Sequence, residues 1–205
     1  MRYTTLRVTA SGVVLYEQHL ERLAPEGPAA LEAFARFARE ARPGIYAVTV
    51  RGGTLAVEPR GGSALVAGMP ARLVVSPFAA QRGAFPKPAP PSPYDAVRQP
   101  GVATLLTSAD GSEIYESCVA AVLGWDGARF ICVPEDRPRV ASVAEAAVRA
   151  VLPHTRAPLR TADSTPLVLL NAVAGPCVVD TGRPPPPPEV LEMLARVLER
   201  STRRP

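Results

Sequence analysis

Lysine is nearly absent from this 205-residue sequence: of its 23 basic residues, only Lys87 is a lysine and all the others are arginine. Histidine is almost as scarce. His19 and His154 each stand alone, which argues against a histidine-based metal centre, and neither has the sequence context of a Ser/His/Asp triad. The three cysteines, Cys118, Cys132 and Cys177, are widely spaced and include no CxxC pair. That pattern excludes a zinc finger or a disulfide framework and suits reduced thiols in a cytoplasm. Aromatics make up only 5% of the chain, and the net charge of +4 comes from scattered arginines, so the stripe expected of a nucleic-acid binder is missing. No apolar run approaches the roughly 20 residues of a membrane span, and the N-terminus lacks the apolar segment of a signal peptide. Phosphate loops of the GxxxxGK[ST] type and GxGxxG fingerprints are also lacking. The expected protein is cytoplasmic, with neither nucleic acid nor membrane as a partner and no metal.

A hydrophobic content of 47% is enough to build a core, and the 24 prolines punctuate it. Residues 4–10 and 13–19 read as strands joined at Ser11-Gly12. Pro28 opens a helix over 28–41, with Leu31, Phe34 and Phe37 on one face and Pro43-Gly44 beyond its end. A hairpin follows over 44–50 and 54–60, then a strand at 71–77. Five prolines crowd into residues 85–93, which rules out a helix or a central strand there. Further on, extended segments fall at 101–108, 113–125, 128–134 and 167–175, with 176–180 pairing nearby. Helices are expected at 142–152 and 189–200. The resulting fold class is α/β with α+β character. It comprises a small N-terminal α/β domain (1–80), a proline-rich connector (81–93) and a larger C-terminal α/β domain (94–205), with a ligand cleft between them.

Lys87 lies in that connector. A lysine amine condenses with carbonyls, and burial lowers its pKa toward the reactive neutral form; an arginine in the same place could not do this. A lone linker lysine reaching into solvent is the plainer alternative on composition alone.

Four segments, in order, resemble the class IV aminotransferase family, the pyridoxal-phosphate enzymes of fold type IV. His19-Leu20-Glu21-Arg22-Leu23 is similar to its HLxRL signature. Lys87 followed by Tyr94-Asp95-Ala96-Val97-Arg98 is similar to the lysine-to-YDAxR spacing of the aminodeoxychorismate lyase branch. Residues 110–117, DGSEIYES, resemble the strand carrying the family glutamate, and 159–175 resemble a later segment that ends in glycine. The resemblance implies the two-domain fold of D-amino acid aminotransferase-like enzymes, with a shortened N-terminus.

It also implies roles for particular residues. Lys87 holds pyridoxal 5'-phosphate as a Schiff base and shuttles the substrate proton. Glu116 keeps the pyridine nitrogen protonated. Arg22 meets the phosphate with its forked donors. The phosphate turn at a helix N-terminus corresponds to Ser142, Val143 and Ala144, and a second contact to Asn171 and Ala172. The chain departs from the pattern at several of these places. Glu145 stands where the family has a positive charge and would oppose a phosphate; Ala144 and Ala172 lack hydroxyls; Ala121 replaces an asparagine; prolines surround Lys87. The implied activity is lyase-type pyruvate elimination giving 4-aminobenzoate for folate biosynthesis, on an aminodeoxychorismate-like or amino-acid substrate. The alternatives are a branched-chain or other transaminase, and a non-catalytic relative that has lost its cofactor. The family also implies a homodimer.

Overall fold

The computed structural model describes residues Met1–Pro205. The chain runs through β1 (Arg2–Thr9), β2 (Gly12–Val14), α1 (Tyr16–Leu23), a 3-10 turn at Ala24–Glu26, α2 (Pro28–Glu40), β3 (Gly44–Arg51), β4 (Thr54–Arg60), β5 (Ala71–Val75) and β6 (Ala84–Phe85). It continues through α3 (Pro93–Val97), β7 (Ala103–Thr107), β8 (Glu113–Ser117), β9 (Ala121–Trp125), β10 (Phe130–Cys132), β11 (Arg139–Val140) and α4 (Val143–Val151). The last elements are β12 (His154–Arg156), β13 (Leu159–Arg160), β14 (Leu167–Asn171), β15 (Gly175–Cys177), α5 (Pro188–Arg200) and β16 (Thr202–Arg203). This is the mixed α/β architecture expected, and no helix is long and apolar enough to cross a membrane.

The N-terminal sheet has the order β16-β2-β1-β3-β4. Its core is Leu6, Val8, Val13, Val48 and Val50 on the strands, packed against Ala30, Phe34 and Ala38 of α2 and Tyr16 and Leu23 of α1. Burying side chains of this size contributes about 1.5–3 kcal/mol for each large one. A second sheet, β12-β10-β9-β14-β15, is covered by α4 and α5, whose Ala144, Val148, Leu194 and Leu198 meet Leu123, Phe130 and Leu170. A third, β13-β8-β7-β5, packs Leu105 and Ile114 against Leu159, Leu167 and Leu169.

Three expectations are revised. Residues 13–19 are not one strand: Leu15, fully buried, turns into the left-handed region at φ 60, ends β2, and starts α1. Tyr16, His19 and Leu23, spaced for a helical face, are what that helix buries. Residues 113–125 form two strands, because Ser117-Cys118-Val119-Ala120 turn the chain from β8 into β9. The proline-rich connector holds a two-residue strand, β6, paired in parallel with β11, and gives way to α3 at Pro93. Strand pairing also runs across residue 80. β5 pairs in parallel with β7, and β16 returns from the C-terminus to β2. That return demands glycine at position 12 (φ 123), where a Cβ would lie 2.1 Å from the Arg203 carbonyl oxygen.

Candidate active site

The N-terminal sheet, the connector and the α4 end enclose a cleft of about 390 Å³. Strand alternation on β1 sends Tyr3 and Thr5 into it. Thr4, between them, points the other way and meets Nδ1 of the fully buried His19 at 2.8 Å. Burial, then Arg22 and Lys87, push His19 down to about 3, so its ring is neutral. Arg22 stands in the last turn of α1 and donates to the Ala141 carbonyl. Desolvation and Arg2 lower it to about 10, leaving it charged at neutral pH.

Lys87 reaches this cleft from the connector. Its Nζ donates to Thr5 Oγ1 at 2.9 Å and lies 5.3 Å from the centre of the Tyr3 ring. No carboxylate forms an ion pair with it. Desolvation first, then the charges of Arg22, Arg60 and Arg98, bring its pKa down to about 8, against an opposing pull from Glu116.

Glu116, on β8, is 4% exposed. Tyr94 Oη donates to its Oε1 at 2.5 Å and the Val140 amide to its Oε2 at 2.9 Å. Burial nevertheless dominates and raises it to about 7, beyond what those two hydrogen bonds and Arg139 can offset. Each carboxylate oxygen can accept a second hydrogen bond, so the group keeps capacity for a ligand. Tyr94 is itself buried, packed against Phe78 and held by the capping box of α3, in which Ser92 and Asp95 bond reciprocally.

The first turn of α4 also lines the cleft. Ser142 caps that helix, accepting from the Glu145 amide at 3.3 Å, and Val143 and Ala144 line the cleft beside it. The free N–H groups and dipole of this end suit an anion. Glu145 does not oppose one. It is 2% exposed, is absent from the cleft lining, and is held by the two terminal guanidinium nitrogens of Arg139. Asn171 and Ala172 also line the cleft. The Asn171 amide, however, is spent on the turn after β14: it donates to the Val119 carbonyl and accepts from the Val173 and Ala174 amides.

The structure therefore brings all eight expected residues, Arg22, Lys87, Glu116, Ser142, Val143, Ala144, Asn171 and Ala172, into one cleft. It adds Tyr3, Thr5, Tyr94, Val140, Arg60 and Arg98. Tyr94 and Arg98 sit within the stretch that follows Lys87 in the sequence, but nothing in the motif shows that the phenol meets Glu116. Thr5 and Val140 carry no sequence signal; only the strand pairing reveals them.

No family model matches the sequence, and no curated protein matches it. Solved structures do. A hypothetical aminotransferase from Mycobacterium tuberculosis, in its apo form, superposes at a TM-score of 0.67 with 19% identity, covering 98% of this chain and 88% of that one. A fold IV transaminase from Curtobacterium pusillum gives 0.66 at 17% identity, covering 98% and 84%. The chain has the fold of the fold type IV aminotransferases. A 4-amino-4-deoxychorismate lyase from Pseudomonas aeruginosa shares it too, with a TM-score of 0.61 and 19% identity over 97% of this chain and 90% of that one. The mycobacterial protein has also been solved in a PLP-bound form, which superposes at 0.63 with 17% identity, covering 98% and 88%.

Proposed function

We propose that this protein is a pyridoxal-phosphate-dependent enzyme of the class IV aminotransferase type, and that its reaction is the lyase type, pyruvate elimination from an aminodeoxychorismate-like substrate. The observation that carries the cofactor reading is the convergence in one cleft of an amine without an ion-pair partner, a buried carboxylate and a cationic helix end. These residues match the three poles of the cofactor: Lys87 its aldehyde, Glu116 its ring nitrogen, and the first turn of α4 with Arg22 its phosphate. The lysine-to-YDAxR spacing and the lyase among the structural neighbours support elimination over transamination.

Pyridoxal phosphate, when bound, supplies an electron sink for the bonds broken at the substrate's amine-bearing carbon. The chain's own residues do the rest. Lys87, with its pKa near 8, can give or take a proton at Nζ close to neutral pH. Thr5 fixes where that nitrogen points. Glu116, held by Tyr94 and Val140, presents its carboxyl at a defined angle and can keep a ring nitrogen protonated. Arg22 and the α4 amides neutralise an anion without a titratable partner of their own. Exposed Leu73 and Val75 on edge strand β5 support a homodimer as the working assembly.

The decisive experiment is an absorption spectrum of the protein with added pyridoxal phosphate, before and after borohydride. The expected result is a visible band that reduction abolishes, leaving the adduct on Lys87. Absence of both would favour the non-catalytic relative, consistent with alanine at 144 and 172 and a committed Asn171 amide. Formation of 4-aminobenzoate, lost in Lys87→Ala, tests the lyase reading.

A further inference from the structure

Lys87 sits among charges that its ammonium form leaves unbalanced. The cleft is lined by four cations, Arg22, Arg60, Lys87 and Arg98, and by two carboxylates, Asp95 and Glu116. Both carboxylates are engaged by other groups. Asp95 accepts from the Ser92 amide and hydroxyl at 2.7 and 3.2 Å, and Glu116 accepts from Tyr94 and Val140. Of the three arginines only Arg60 enters an ion pair, with Glu58 at 3.9 Å, which is not part of the lining. The Lys87 nitrogen itself has only neutral neighbours in contact, the Thr5 hydroxyl and the Tyr3 ring. Turning that one nitrogen from a cation into an anion would leave three charges of each sign around the cleft. Carbon dioxide is the small molecule that makes this change on an amine without an oxidant or a leaving group.

We propose that Lys87 is a carbamate site: its side-chain nitrogen adds dissolved carbon dioxide reversibly, and the arginines around it hold the resulting anion. The Nζ lone pair attacks the carbon, one C=O π pair moves onto its oxygen, and the surplus N–H proton passes to water. Nothing is oxidised or reduced. Burial and the same arginines bring the Lys87 pKa down to about 8, which keeps part of the amine neutral and able to attack. Those guanidinium groups repel the ammonium and attract the carbamate, so they drive both halves of the equilibrium in one direction. Thr5 accepts from the ammonium and can turn its hydroxyl to donate to a carbamate oxygen. The inference does not depend on the cofactor reading and meets it at one point. A nitrogen that carries carbon dioxide cannot also condense with an aldehyde, so dissolved carbon dioxide and pyridoxal phosphate should exclude each other.

The test is carbon NMR of the full chain, made with nitrogen-labelled lysine, in carbon-labelled bicarbonate buffer at about pH 8.5, where the buffer supplies dissolved carbon dioxide and the lysine is largely neutral. Lys87 is the only lysine, so a carbamate there gives one carbonyl signal split by its bonded nitrogen. That split signal should be absent in Lys87→Arg. Arg98→Gln, at an exposed side chain in no ion pair, should lower the carbamate formation constant about threefold or more, and Glu116→Gln should raise it by a similar factor, the direction each charge dictates. An unsplit signal alone, from bicarbonate held as an ion or from the backbone amine, would overturn the proposal. A split signal that neither charge variant moves would overturn the role given to the cleft's charges. The borohydride adduct reports on the cofactor separately: an adduct without a carbamate sinks only this inference, and a carbamate without an adduct sinks only the cofactor reading.

Discussion

Arg139 grips Glu145 with two parallel hydrogen bonds, 2.5 and 3.0 Å long, and the two side chains are only 5% and 2% exposed. The pair closes a short strap. Between its ends, Val140 donates to Glu116, the Ala141 carbonyl accepts from Arg22, and the Ala141 amide bonds the Phe85 carbonyl on the strand leading to Lys87. One segment thus holds the elements that supply Arg22, Lys87 and Glu116 to the cleft.

Removing half of this pair leaves the other half buried without compensation. Glu145→Gln should cost about 3–5 kcal/mol in denaturant unfolding, while replacing both partners by apolar residues, Arg139→Met with Glu145→Leu, should recover most of that. A loss as large in the double variant as in the single one would contradict the role assigned to burial. Arg149, whose Nε lies 3.6 Å from the same carboxylate, would lose a second, weaker contact in that variant but keep its ion pair with Glu135.

Stability should depend on pH through two groups of opposite sign. Glu116 is raised to about 7 from an ordinary 4.5, so the folded state binds more protons than the unfolded one between those values, and its contribution is lost as pH rises through that window. His19 is lowered to about 3 from 6.5, so the unfolded state binds more protons there and stability falls as pH drops. The two should nearly cancel between about pH 4.5 and 6.5, leaving a flat profile with a fall on the acid side. His19→Asn should expose the Glu116 slope, making the protein less stable at pH 7 than at pH 5. A profile unchanged by that substitution would contradict the neutral, buried state of His19.

Much of this frame is written in local pattern. The hairpin β3–β4 follows from alternation around Gly52-Gly53, and α2 and α5 follow from apolar spacing behind prolines. The lone lysine marks its own position because the rest of the chain uses arginine. What local pattern hides is anything settled by long-range pairing. VVLYEQH alternates well enough for a strand, and only the packing of Tyr16, His19 and Leu23 under β1 makes most of it a helix. Glu145 reads as a charge set against an anion until β11 brings Arg139 onto it. Asn171 reads as a ligand until the turn after β14 claims its amide.

Tyr94→Phe should act on Glu116 in a definite direction. The phenol donates to the carboxylate and so favours its ionised form. Without it, the Glu116 pKa should rise above its value near 7, and the protein should lose about 1–2 kcal/mol for a buried acceptor left short of a donor. Carbon-detected NMR of labelled glutamate, followed against pH, measures the first quantity, and chemical denaturation the second. A downward movement of the Glu116 titration would contradict the assigned donor.

Gly124→Ala should destabilise by crowding, not by backbone strain. A Cβ there would lie 2.7 Å from Leu159 Cδ2 and 3.1 Å from Thr165 Cγ2, on the central strand β9. Overpacking of this kind costs about 1–3 kcal/mol, and Leu159→Val in the same chain should return part of it by withdrawing the contacting methyl. Additive losses from the two substitutions would show that the clash lies elsewhere.

Thr5→Val probes the amine at the centre of the cleft without changing the shape of the side chain beneath it. The Thr5 hydroxyl accepts from Lys87 Nζ at 2.9 Å and has no charge of its own, so it stabilises the ammonium over the neutral amine. The surrounding charges are mostly repulsive, from Arg22, Arg60 and Arg98, with Glu116 alone pulling the other way. Taking away the acceptor should therefore lower the Lys87 pKa further below its value near 8 and enlarge the neutral fraction at pH 7. The rate of reductive methylation at Lys87, followed by mass spectrometry across pH, should show its midpoint shifted to lower pH in the variant. Stability should change by no more than about 1.5 kcal/mol, the net worth of one such hydrogen bond. A midpoint that stays in place, or moves up, would mean that Thr5 does not hold the lysine in its charged form, and that desolvation and the arginines alone set its reactivity.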